Sequence, residues 1–97
     1  MTEKKENPVT IVFEENECRS AAYTEGKAIG ECEYTGSDQK WVITHTGVRP
    51  EFGGRGIARR LVEKVIEEAR KRKVKIVPLC SYAAKLMIGK EEYQDVL

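Results

Sequence analysis

Apolar and polar residues alternate through the first half of the chain, then recur every three or four positions through the second. In residues 9–13, VTIVF, Val9, Ile11 and Phe13 share one side, the pattern of a half-buried strand. EENE reads as a turn. CRSAAYT is a weaker strand candidate, closed by EGK with Gly26 as the turn residue. AIGECEYTG alternates again, with Ile29, Glu31 and Glu33 facing one way and Cys32 and Tyr34 the other. GSDQ marks the next turn, and KWVITHTGV is the strongest strand, rich in β-branched and aromatic residues. Four strands joined by short turns predict an antiparallel meander.

From Ile57 the period changes. Apolar residues fall at 57, 58, 61, 62, 65, 66 and 69, one face of a helix, while Arg59, Arg60, Glu63, Lys64, Glu67, Glu68 and Lys71 take the other. Glu67–Lys71 and Glu68–Arg72 are favourable i, i+4 pairs, and the helix ends in RKRK, where positive charge suits its dipole. VKIVP reads as a short buried strand stopped by Pro78, so strand, helix and strand suggest a parallel crossover. CSYAAKLMIG reads as a shorter helix with Gly89 as its C-terminal cap, and KEEYQDVL as a polar tail with Tyr93, Val96 and Leu97 available to dock. The expected fold class is α/β with a mixed sheet: a meander of about four strands, a helix, a short parallel strand and a short helix. Residues 1–8 are expected to form a disordered lead and residues 9–97 a single domain, with no internal repeat.

Composition narrows the partners. The chain has 97 residues, 17 basic and 16 acidic, for a formal net charge of +1, so no global field draws it to nucleic acid or membrane. Neighbouring glutamates offset the basic run Arg70 to Lys75, and no aromatic platform for bases is evident. No apolar run approaches the roughly 20 residues of a membrane span, and MTEKKENP lacks the apolar stretch of a signal peptide. A cytoplasmic monomer is the expectation. Cys18, Cys32 and Cys80 form no C-x-x-C pair and His45 is the only histidine, so no metal site is expected.

The segment VRPEFGGRGIARRL, residues 48–61, departs from the local rules. It joins a strand to the long helix, yet puts Arg55, Arg59 and Arg60 where the helix dipole is already positive. No Ser, Thr, Asp or Asn cap stands beside Gly56. An anion at the helix start would remove the conflict: backbone N–H groups of GGRGIA would face phosphate oxygens, the glycines would allow close approach, and the arginines would add charge-assisted bonds. The alternative is a tight turn with solvated arginines. No Walker A string occurs, and a dinucleotide fingerprint fails because Arg59 stands where its third glycine belongs.

VRPEFGGRGIARRLVEKVIEEAR resembles the acetyl-coenzyme A binding motif of the GNAT superfamily of N-acetyltransferases, Q/R-x-x-G-x-G/A between a strand and a long helix. Gly56 and Ala58 match its last two defined positions, and Gly53 replaces the usual Gln or Arg at the first. With THTGVRPEF, IVPLCSYAAKL and EEYQDVL, the chain is similar to the small single-domain GNAT subgroup. The resemblance implies a sheet splayed near Gly47 and Val48 with the pantetheine arm in the gap. It places the pyrophosphate on Gly54, Arg55, Gly56, Ile57, Ala58 and Arg59, with Arg60 alongside.

Three residues are candidates for the chemistry. Cys80 follows the short strand and opens the second helix, where a thiolate is favoured. The resembled subgroup carries a cysteine here near the acyl group; the alternative is a small buried hydrophobe. His45 has the right chemistry for a general base, but by alternation it shares a face with Trp41, Ile43 and Gly47, which favours a buried, hydrogen-bonded histidine. Tyr82 could protonate the departing coenzyme A thiolate, as tyrosines do in many GNAT enzymes, or pack on the sheet. Cys18 and Cys32 read as packing residues in early strands and Trp41 as a core aromatic. The resemblance implies an acyltransferase that moves an acetyl group from acetyl-coenzyme A to an unidentified amine, with the Val48 N–H holding the carbonyl oxygen. The competing reading is a module that binds coenzyme A or acyl-coenzyme A without transfer.

Overall fold

The computed structural model describes residues 8–97. The expected disordered lead therefore lies outside the described residues except at Pro8. The Pro8 carbonyl accepts a hydrogen bond from Thr24 Oγ1 at 3.0 Å.

The order of elements is β1 (Thr10–Glu14), β2 (Arg19–Thr24), β3 (Lys27–Gly36), β4 (Lys40–Val48), α1 (Ile57–Arg72), β5 (Lys75–Pro78) and α2 (Ser81–Met87), with single 3-10 turns at Glu15–Glu17, Pro50–Phe52 and Glu91–Tyr93. The five strands lie in the order β1-β2-β3-β4-β5. The first three pairings are antiparallel, and β4–β5 is parallel. This is the mixed sheet expected from the change of period.

α1 lies across the sheet and buries Ile57, Leu61, Val62, Val65, Ile66 and Ala69, the face its spacing marks out. Ala22, Ile29, Cys32, Tyr34, Trp41, Ile43 and Ile76 supply the sheet side of the core. A fully buried aliphatic side chain of this kind contributes about 1.5–3 kcal/mol. Ser20, a buried hydroxyl between β2 and α1, donates to the Leu61 carbonyl at 2.7 Å and so is not left unpaired in that contact. At the far end Phe13, Tyr34 and Trp41 stack, and the Arg72 guanidinium covers Phe13 and Trp41. Arg72 also pairs with Glu68 at 2.8 Å and Glu15 at 3.1 Å. The outer edge of β5 is covered by the C-terminal tail: Ile76 N–H donates to the Val96 carbonyl, Arg70 grips Asp95 at 2.6 and 2.9 Å, and Tyr93 and Val96 are buried. A covered edge does not recruit another strand.

Two β-bulges correct the expected facing of residues. Ala22 pairs with Gly30 and Tyr23 with Ala28, so Ile29 is the extra residue. It turns into the core at 1% exposure and does not share a face with Glu31 and Glu33. In β4, Glu33 pairs with His45 and Tyr34 with Ile43, which makes Thr44 the extra residue. Period-2 alternation breaks there, and His45 lies on the face opposite Trp41 and Ile43. Cys18 is a further correction. It precedes β2 in a left-handed conformation and is exposed, not a packing residue.

Candidate functional site

The sheet opens along β4. Its pairing with β5 runs only from Lys40–Lys75 to Ile43–Pro78. The Ile43 carbonyl then accepts the amides of both Leu79 and Cys80 at 3.0 Å, and the chain turns away into α2. Beyond Ile43, β4 continues to Val48 with β3 on one side and no strand pairing on the other. The gap thus begins at Thr44, earlier than the expected splay at Gly47 and Val48. Arg49 N–H is directed at the Ile29 carbonyl on β3. Strand amides alternate in direction, so the preceding Val48 N–H points to the unpartnered side.

Next to this edge is the start of α1. Gly54 and Gly56 have φ of +78° and +77°, and nothing lies within 4 Å of where a Cβ would stand on either. Gly56 is the N-cap residue, with no side-chain cap and no acidic residue in the first turn. The first-turn amides therefore lack the usual side-chain acceptor. The arginines are engaged elsewhere. Arg59 Nε donates to Glu63 at 3.0 Å, Arg60 Nη2 donates to the Val9 carbonyl at 3.2 Å, and Arg55 lies over the Phe52 ring. The turn therefore presents mainly its backbone, with each guanidinium held against a neighbouring group. Gly53 keeps an ordinary extended conformation.

Cys80 stands at the other wall of the gap, on the helix side of the sheet. It is the N-cap of α2, and its Sγ accepts the Ala83 N–H at 3.3 Å. Thr46 Oγ1 lies 3.4 Å from the same sulfur and donates to Cys32 Sγ at 3.6 Å. Thr46 reaches Cys80 because the bulge at Thr44 returns it to the face of Ile43. The two sulfurs differ in environment: burial pushes the Cys32 thiol up to about 12, only partly offset by the Thr46 hydrogen bond, whereas Cys80 is partly exposed. Iodoacetamide near neutral pH is accordingly expected to label Cys18 and Cys80 and to spare Cys32, with coenzyme A protecting Cys80 alone. Peptide mass mapping checks this; rapid labelling of Cys32 in the folded protein would contradict it.

His45 is exposed, which corrects the expectation of a buried ring, but it is hydrogen-bonded: its Nε2 lies 2.8 Å from Glu31 Oε2. The pair borders a shallow recess of about 380 Å³ that includes Gly30, Gly47, Val48 and Arg49. His45 and Cys80 thus approach the same stretch of β4 from opposite faces of the sheet. Tyr82 is on α2, 38% exposed. It does not pack into the core. Two side chains in contact with these candidates escaped the reading of the sequence. Thr46 follows His45 directly, but only the bulge turns it toward Cys80. Alternation marks Glu31 only as sharing a strand face with Ile29 and Glu33, and only the β3–β4 register brings it to His45. Among the described residues no group of three or more His, Cys, Asp or Glu is placed to hold a metal ion, and no helix is long and apolar enough to cross a membrane.

This architecture has relatives. A GCN5-like protein from Staphylococcus aureus, assigned as an N-acetyltransferase and solved by NMR, is 32% identical over 90% of this chain and 85% of its own, with a TM-score of 0.68. An aminoglycoside acetyltransferase from an uncultured soil metagenomic sample is 21% identical over 75% of this chain, with a TM-score of 0.61. A GNAT family acetyltransferase from Elizabethkingia anophelis with acetyl-CoA bound is 20% identical over 70%, with a TM-score of 0.55. The chain spans 59% and 48% of the lengths of these last two, whose likeness is one of fold. No curated protein matches the chain in sequence. The family model described as GCN5-related N-acetyl-transferase matches residues 19–96, across the opened strand, the glycine turn and Cys80, and the chain belongs to that family.

Proposed function

We propose that the protein binds acetyl-coenzyme A and transfers its acetyl group to an amine. The observation that carries this reading is the juxtaposition of an unpartnered β4 edge with an uncapped, glycine-lined helix start. A pantetheine arm is an extended chain of amides. It can pair with free strand amides as a β-strand would, while its pyrophosphate meets the N–H groups at Gly54–Ala58. The open Cβ positions at Gly54 and Gly56 fit this role, since side chains there would stand between the ligand and the backbone.

In this arrangement each residue has a defined task. The Val48 N–H holds the thioester oxygen as negative charge develops on it. His45 takes a proton from the acceptor ammonium, freeing the nitrogen's electron pair to attack the carbonyl carbon. The carbon–sulfur bond then breaks, and the sulfur leaves with its electron pair. The second nitrogen proton passes to that sulfur, with Tyr82 as the candidate relay. Cys80 lies beside the acyl end, and its sulfur is oriented by Ala83 N–H and Thr46. The rival is a module that holds acyl-coenzyme A without turnover. Coenzyme A release measured across a panel of small amines and lysine peptides tests the two. Acceptor-dependent release above hydrolysis is expected, and binding with no release on any acceptor would leave only the module.

A further inference from the structure

The geometry points to Glu31 as the residue that positions His45 for proton abstraction, an orienting carboxylate on β3 for the base on β4. This rests on the reading of His45 as the base. Three observations converge. Glu31 Oε2 lies 2.8 Å from His45 Nε2. A carboxylate only accepts hydrogen bonds, so Nε2 carries a proton, and in the neutral ring Nδ1 keeps the lone pair. Without that contact an exposed imidazole samples both tautomers and several rotamers.

The second observation is Gly47. A Cβ there would lie 3.0 Å from His45 Nε2, 3.2 Å from His45 Cε1 and 3.3 Å from Glu31 Oε2. The histidine–glutamate contact therefore lies directly over the space that this glycine leaves. A glycine inside a strand weakens it, and Gly47 has no positive φ to require one. On this face its role is room for the pair. The third observation is the bulge at Thr44. With regular pairing through Thr44, His45 would turn to the helix side, and Glu31 could not reach it. The bulge, the glycine and the carboxylate act on one ring, at the strand edge that Cys80 borders from the other side.

Glu31 shares a face with His45 but reaches the acceptor only through the ring, so its loss lowers the rate without touching coenzyme A affinity. An alkylammonium must give up a proton before its nitrogen attacks, whereas hydroxylamine is already neutral near neutral pH. The base therefore matters more for the first acceptor than for the second.

The test compares wild type, Glu31→Gln, Glu31→Asp and His45→Gln, with ethanolamine and hydroxylamine as acceptors. With ethanolamine, His45→Gln is expected to lower kcat by about a hundredfold. Glu31→Gln is expected to lower it by roughly tenfold, less than a buried orienting carboxylate would cost because both groups are solvated. Glu31→Asp should recover part of the loss, KM for acetyl-coenzyme A should hold, and the losses should shrink with hydroxylamine. Loss in His45→Gln but none in Glu31→Gln overturns the positioning role and leaves the base in place. No loss in either variant overturns the base as well. Nitrogen-15 shifts of the His45 ring supply a readout independent of turnover. They should report the Nε2–H tautomer in wild type and a mixture in Glu31→Ala, which leaves the ring no acceptor, whereas the amide oxygen of Glu31→Gln can still accept Nε2–H; an unchanged tautomer in Glu31→Ala would overturn the proposal even if no acceptor were turned over.

Discussion

A Gly56→Val variant is expected to bind coenzyme A at least thirtyfold more weakly than wild type while keeping its fold. Gly56 caps α1 with φ +77° and ψ 13°. For an L-residue that region costs roughly 1–2 kcal/mol, and a β-branched side chain is the least suited to it. The chain then either holds the strained conformation, with two methyl groups over the first-turn amides, or rotates the cap and moves those amides. Both outcomes remove the anion site. A loss of about 2 kcal/mol corresponds to roughly thirtyfold in Kd. The helix itself should persist, because six buried side chains from Ile57 to Ala69 anchor it to the sheet. Gly53→Ala is the control, since φ there is −68°, which alanine adopts, and its Cβ would press only on the Pro50 carbonyl at 3.3 Å. Calorimetric titration with coenzyme A reads both variants. A Gly56→Val protein binding within twofold of wild type would remove the helix start from the site.

The second large effect is expected at Cys80. Cys80→Ser should retain coenzyme A binding and lose most of its turnover. Serine is a good N-cap, so the bond from Ala83 N–H that Cys80 now receives at 3.3 Å has a replacement and α2 stays formed. What changes is the sulfur beside the acyl group. If that sulfur is itself the first acyl acceptor, it attacks the carbonyl carbon, the bond to the coenzyme A sulfur breaks, and the thiol proton ends on the departing sulfur. Incubation without an amine would then leave an acetyl adduct on Cys80, visible by intact mass. Reduced turnover with no adduct assigns Cys80 to holding the thioester for direct attack by the amine. Full turnover in both Cys80→Ser and Cys80→Ala would reduce the residue to packing.

The hydrophobic pattern carried most of the architecture. α1 buries the residues its 3.6-residue period marks, apart from Ala58, which is only half-buried, and the change of period at Ile57 coincides with the start of the helix. The glycine turn stood out in the sequence because it breaks a rule of helix electrostatics, and Cys80 because it stands where a strand hands over to a helix. The facing of Ile29 and His45 was not legible. Each depends on one extra residue in a strand, and a bulge is set by cross-strand register, which no short stretch of sequence encodes. Once His45 was given the wrong face, Glu31 and Thr46 could not be connected to the site. The arginines of the turn were legible as charge but not as partners. Arg59 has Glu63 one helical turn away, and Arg60 reaches the Val9 carbonyl, far away in sequence.

The most direct test of the account is a titration of the isotope-labelled protein with coenzyme A, followed by residue-resolved NMR. The largest amide shifts are expected at Gly54, Gly56 and Ala58, with a second group at Thr46 and Val48 along the unpartnered edge of β4. Shifts confined to another region, such as the Arg70–Asp95 end of the molecule, with the glycine turn unmoved, would contradict the account.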